Sequence, residues 1–214
     1  MTSGFPSRWG LYGDYYDGMA ITPRITVEVP VLGIGNGPAD YQALGRYVDA
    51  LRRPEGLHLT LLHLGILADF SAEVERWTRG ITPAAAAIRR TVAWLEELPA
   101  LEGFSARTET LVRLGGGRVA GLEVAVPERV RLYQVSLVGA LHELLDQLLV
   151  DNIDDFILGS RALGFRYPRW TPHIAIGKPK AGTTGGTLQI APLEIGLGGS
   201  RIRNRRFLPA PDEG

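Results

Sequence analysis

Apolar and polar positions alternate with period two along several stretches of this chain, and with helical spacing along others. Arg24–Leu32 (Arg-Ile-Thr-Val-Glu-Val-Pro-Val-Leu) predicts a strand with Pro30 near its end. Gly33-Ile34-Gly35-Asn36-Gly37-Pro38 then breaks the chain. Ala39–Arg52 places Tyr41, Leu44, Val48 and Leu51 on one helical face. A strand follows over roughly 57–67, a short helix begins at Ser71, and Thr82-Pro83 opens a helix to about Leu98 with Ile88, Val92 and Leu95 inward. Phe104–Leu114 and Arg118–Val126 predict a hairpin across Gly115-Gly116-Gly117. Pro127 opens a helix to about Val150, striped by Val130, Val138, Leu141, Leu145 and Leu148. Residues 151–169 read as irregular. A strand spans about 172–178, and Leu188–Ile190 and Leu193–Leu197 close the pattern as a strand pair.

The order is strand, helix, strand, helices, then hairpin, helix, strand, strand. Its halves look like approximate copies, which predicts one α+β domain of two lobes, a sheet from each lining a cleft. The expected domain covers 23–208. Residues 1–22, with Trp9, Tyr12, Tyr15 and Tyr16, read as an extension packed on it, and 209–214 as a loose tail.

The 214 residues are 45% hydrophobic, with 23 basic and 23 acidic side chains. Zero net charge argues against a broad basic surface for long nucleic acid, but leaves room for a small anion held by a few arginines. The lack of cysteine rules out disulfides, a thiolate zinc site and a cysteine nucleophile. The first residues have no basic start followed by an apolar run, and no apolar stretch reaches the ~18 residues of a membrane span. A soluble, cytoplasmic protein is expected.

Two histidines sit in matched settings: Gly56-Leu57-His58-Leu59-Thr60-Leu61-Leu62-His63-Leu64-Gly65, and Trp170-Thr171-Pro172-His173-Ile174-Ala175-Ile176-Gly177. Alternation puts His58 with Thr60 on one face, and His173 with Ala175 on one face. Either histidine alone reads equally well as a strand-mouth ring satisfied by a backbone carbonyl. As a pair, they could supply a general base and a general acid to one reaction. His63, five residues from His58, should face the opposite way and be structural. His142 should be partly exposed on the long helix. No His-Glu-x-x-His, calcium loop or Gly-x-Ser-x-Gly elbow occurs, and Gly33-Ile34-Gly35-Asn36-Gly37 lacks dinucleotide and Walker spacing, so no metal or cofactor is expected.

His58-Leu59-Thr60-Leu61 with Leu64-Gly65, and Pro172-His173-Ile174-Ala175-Ile176, resemble the two motifs of the 2H phosphoesterases, the RNA 2′,3′-cyclic phosphodiesterase or 2′-5′ RNA ligase-like fold. The similarity runs from about Arg24 to Arg203. It implies a bilobal, pseudo-two-fold fold around a groove, with His58 and His173 catalytic. It also implies metal-free chemistry on a 2′,3′-cyclic or 2′-5′ phosphodiester of a nucleotide or RNA end. Ala175 departs from the family's Thr or Ser, whose hydroxyl bonds a phosphate oxygen. That loss is worth ~1.5–3 kcal/mol. The alternatives are a nucleotide-binding protein with weakened or lost catalysis, and a phosphodiesterase of cyclic oligonucleotide signals. Thr60 is the candidate donor to phosphate, and Thr171 or Thr183 a substitute hydroxyl. Arg201 and Arg203 are candidate phosphate clamps. Arg113, Arg118, Arg166 and Arg169 read mainly as surface charges. Phe165, Tyr167 and Trp170 could stack on a base, Tyr167 being the substrate-binding candidate among them.

Overall fold

The computed structural model describes residues 23–163, 170–180 and 186–206. Among the described residues, eight strands and five α-helices run in the order β1 (Pro23–Ile34), α1 (Pro38–Ala43), β2 (Val48–Leu51), β3 (His58–Ile66), α2 (Leu67–Trp77), α3 (Ala84–Glu97), β4 (Phe104–Leu114), β5 (Val119–Ala125), α4 (Glu128–Gln147), α5 (Ile153–Gly159), β6 (His173–Pro179), β7 (Thr187–Leu197) and β8 (Arg201–Arg206). This is the mixed α/β class the sequence predicts, built on a large antiparallel sheet. The two expected sheets are halves of one hydrogen-bonded set, in the order β2-β6-β3-β1-β7-β4-β5, with β8 beside β1. Because β5 also pairs β6, the path closes on itself.

One face of the sheet is apolar. Ile25, Val27 and Val29 of β1, Leu59, Leu61 and Leu64 of β3, Leu122 of β5 and Ile174 of β6 are all buried, and α2 and α4 pack against β3. Burial of these side chains drives the assembly at roughly 1.5–3 kcal/mol each. The other face is polar.

Four expectations need correction. The helix over Ala39–Arg52 ends at Ala43, a 3-10 turn occupies Leu44–Arg46, and Val48–Leu51 is a strand on β6. The apolar positions Tyr41, Leu44 and Val48 are still buried, but cross-strand pairing to Lys178 and Pro179 replaces helical hydrogen bonds beyond Tyr47. The helix expected from Ser71 starts at Leu67, and Ser71 is buried within it. Ile153–Gly159, read as irregular, is a helix whose Phe156 stacks edge-on against Phe70 and Trp77. Leu188–Ile190 and Leu193–Leu197 are one continuous strand, and Arg201–Arg206 is a further strand that no apolar alternation announces. It is held by a six-residue register on β1, from Pro23 opposite Arg206 to Glu28 opposite Arg201.

Gly65 is the next-to-last residue of the first histidine strand. Its φ is +75°, and a Cβ there would meet the Ala162 carbonyl oxygen at 2.0 Å. Only glycine meets both demands. No helix of the described residues is long and apolar enough to cross a membrane.

Candidate active site

The two histidine strands meet at one pair. Leu59 of β3 and Ile174 of β6 are antiparallel partners, both fully buried on the apolar face. Their neighbours therefore turn to the polar face. Counting outward from that pair, His58 lies across from Ala175 and Thr60 across from His173. The imidazoles are diagonal neighbours, with backbones about 7–8 Å apart by general sheet geometry. All four side chains are partly exposed.

The register extends this contact into a polar row. Arg201 faces Glu28 and Glu28 faces Thr60 on one side, His173 faces Glu123 and Glu123 faces Thr110 on the other, and counting from Leu59–Ile174 sets Thr60 and His173 next to each other between them. A second row holds small residues. His58 stands opposite Ala175, Ala175 opposite Gly121, and Gly121 opposite Val112. A Cβ on Gly121 would come within 3.7 Å of the His173 Cβ and 2.9 Å of a Leu114 methyl, so the floor beside His173 is kept low.

Both rings use Nδ1 in the same way. His58 Nδ1 lies 2.9 Å from the Gly56 carbonyl oxygen, and His173 Nδ1 lies 2.8 Å from the Thr171 carbonyl oxygen. Each contact reaches back two residues. The bland reading of a strand-mouth histidine bound to a backbone carbonyl is thus realised at Nδ1, and it leaves Nε2 to meet other groups.

Around His58 stands a cluster whose centre the sequence did not reveal. Glu28, fully buried, lies 3.5 Å from His58 Nε2. Its carboxylate accepts hydrogen bonds from Arg201 Nε and Nη2 at 3.1 and 2.9 Å and from Arg203 Nη1 at 3.3 Å. Arg203 Nη1 is also 3.1 Å from His58 Nδ1. Of the predicted clamp residues, Arg203 is therefore beside the ring and Arg201 one step farther, both anchored by Glu28. The signal for Glu28 was present: Thr26 and Glu28 are the polar positions between Ile25, Val27 and Val29, on the strand next to His58.

Thr60 lies on the shared face, and its carbonyl accepts the Trp170 indole N–H at 3.0 Å. Trp170 thus ties the approach to β6 onto β3, with its polar edge committed to the backbone. Thr171 is exposed and serves His173 through its carbonyl. Phe165, Arg166, Tyr167, Arg169 and Thr183 lie outside the described residues.

His63 corrects another expectation. Leu61 and Leu64 are bulged out of the β1–β3 register, so Thr60 faces Glu28 while His63 faces Thr26. The extra residue at Leu61 reverses the alternation and brings His63 onto the same face as His58. His63 Nδ1 lies 3.2 Å from Thr26 Oγ1. Burial first, and the Arg24 charge second, hold its pKa below the usual imidazole value. His142, half-exposed on α4, lies 3.7 Å from Asp154, as its position suggests. Among the described residues no three His, Asp or Glu side chains cluster so as to hold a metal ion.

Fold and site together define an α+β protein with two matched histidines on adjoining strands of one polar sheet face. No protein-family model matches the chain, and no curated protein matches it in sequence. Solved structures similar to it include TT0787 of Thermus thermophilus, at 20% identity and TM-score 0.44, covering 84% of this chain and 86% of that one. Escherichia coli LigT complexed with ATP is similar at 14% identity and TM-score 0.43, covering 87% of this chain and 96% of that one. The MHV ns2 PDE domain is similar at 16% identity and TM-score 0.34, covering 78% of this chain and 97% of that one.

Proposed function

We propose that this chain is a metal-independent phosphodiesterase acting on a 2′,3′-cyclic or 2′-5′ phosphodiester of a nucleotide or RNA end. The single observation that carries this reading is the Leu59–Ile174 pair, which sets His58 and His173 diagonally on one open face. A phosphorus atom between them would have a proton acceptor on one side and a proton donor on the other. Water attacks phosphorus as one Nε2 removes its proton. The bond to the leaving ribose oxygen breaks as the other Nε2 delivers a proton to it. Each transfer contributes ~10²–10⁴-fold. Two guanidiniums against one carboxylate leave the Arg201–Arg203–Glu28 corner net positive, which favours an anionic phosphate near His58. Thr60, partly exposed on the same face, supports this reading as the donor to a non-bridging oxygen.

Ala175 favours a second reading, a nucleotide-binding protein with weakened or lost catalysis, because the position across from His58 carries a methyl and no hydroxyl. The two readings separate on turnover. Purified protein in EDTA should hydrolyse 2′,3′-cyclic nucleotides, 2′-5′ dinucleotides or cyclic oligonucleotides, and His58→Ala and His173→Ala should each abolish that turnover. Tight binding of the intact nucleotide with no product would favour the second reading. Turnover unchanged in both variants would reject the first.

A further inference from the structure

We infer that Glu123 and Thr110 form a base-reading subsite beside His173, one that selects guanine over the other bases. Glu123 stands directly across from His173, and Thr110 directly across from Glu123. The next pair along, Leu111 and Leu122, is buried, so alternation turns Glu123 and Thr110 to the polar face that carries the histidines. Neighbouring strands are about 4.8 Å apart. The two residues therefore lie one and two strand spacings from His173, on the side away from β3. Glu123 is exposed, and among the described residues no hydrogen bond or ion pair engages its carboxylate. Thr110 is half-buried, with Gln189 Nε2 3.4 Å from its hydroxyl oxygen. The adjoining row is Ala175, Gly121 and Val112, a low floor on which a flat ring can lie with its edge toward Glu123 and Thr110.

Charge sets the direction in which a nucleotide lies on this face. Arg201 and Arg203, on the β8 side, draw the phosphate, whereas the Glu123 carboxylate on the far side repels an anion and accepts N–H donors. It presents two acceptor oxygens side by side, and the Thr110 hydroxyl adds a donor next to them. Guanine alone among the four RNA bases carries two adjacent donors, N1–H and the 2-amino group, with the acceptor O6 beside them. Adenine and cytosine set a single amino donor next to a ring lone pair, which the carboxylate repels. Uracil has one N–H between two carbonyl oxygens. The subsite thus matches the Watson–Crick edge of guanine, the edge by which unpaired bases are read.

Selection in turnover rests on the phosphodiesterase reading, but selection in binding does not. Calorimetric titration with the four nucleoside 2′-monophosphates therefore tests the subsite without catalysis. 2′-GMP should bind about tenfold more tightly than 2′-AMP, 2′-CMP or 2′-UMP, the size of a bidentate base contact. The Glu123→Gln amide supplies one acceptor and one donor, so the ratio of GMP to AMP affinity should fall about tenfold. Thr110→Val should lower the same ratio. A wild-type ratio near one, or a ratio unmoved in folded Glu123→Gln, would overturn the inference; where that variant does not fold, the wild-type ratio decides. Steady-state kinetics on the four 2′,3′-cyclic nucleotides then separates the two claims. Equal kcat/KM for all four bases would keep the phosphodiesterase reading and reject the subsite. Selective binding of 2′-GMP without turnover of any of them would keep the subsite and count against that reading.

Discussion

Leu59 and Ile174 are fully buried cross-strand partners, and theirs is the register contact that joins the two histidine strands. An apolar pair on the hidden face thereby sets the spacing of two imidazoles on the open one. A one-residue slip would exchange the faces of either strand, so packing at this pair and the placement of the histidines on the polar face are coupled.

That coupling can be measured at Ile174. Replacing it with alanine should cost about 2–5 kcal/mol of stability, and replacing it with valine about 0.5–1.5. Denaturant unfolding reads both. Ile174→Ala should also lose turnover at temperatures where it remains folded, because the diagonal between His58 and His173 is no longer fixed.

Ala175 offers the opposite experiment. It lies across from His58 with Gly121 as its other neighbour, so the floor there is low. On the proposed phosphodiesterase reading, Ala175→Ser adds a hydroxyl where the phosphate would lie. A hydrogen bond to a charged oxygen of ~1.5–3 kcal/mol should raise kcat/KM about tenfold or more. Steady-state kinetics on the best 2′,3′-cyclic substrate checks it.

Gly65→Ala should destabilise the fold by more than about 1 kcal/mol. The new Cβ collides with the Ala162 carbonyl in a backbone conformation that disfavours it. A lowered thermal midpoint is the expected outcome.

His63 gives the stability a pH dependence with a defined sign. Its folded pKa lies below the usual value of 6.5, mainly through burial and then through Arg24. Well above 6.5 both folded and unfolded rings are neutral, and the residue contributes no slope. As pH falls, the unfolded chain takes up the proton first, so the folded state loses stability. Urea midpoints at pH 7.5 and 5.5 should differ more for the wild type than for His63→Asn.

Much of this site was legible in the sequence because it rests on local alternation. His58, Thr60, His173 and Ala175 fall on the faces that period two assigns, and the β4–β5 hairpin, α3 and α4 follow turn glycines and Thr-Pro or Pro starts. What was hidden depends on partners distant in the chain. The bulge at Leu61 is set by register against β1, and it turns His63 onto the polar face of His58. Arg201–Arg206 lacks any apolar pattern; the strand exists because β1 supplies its hydrogen bonds and Glu28 its counter-charge. Helical spacing in residues 39–52 was satisfied by a short helix, a turn and a strand, since burial of Tyr41, Leu44 and Val48 does not require one continuous helix.

The convergence of the two histidines is tested most directly by titrating inorganic phosphate, or a 2′-nucleotide product, while following the histidine ring signals. Signals from His58 and His173 should shift together along one binding curve, with His142 on α4 unmoved. A response from only one of the two rings, or separate curves for each, would contradict a shared site.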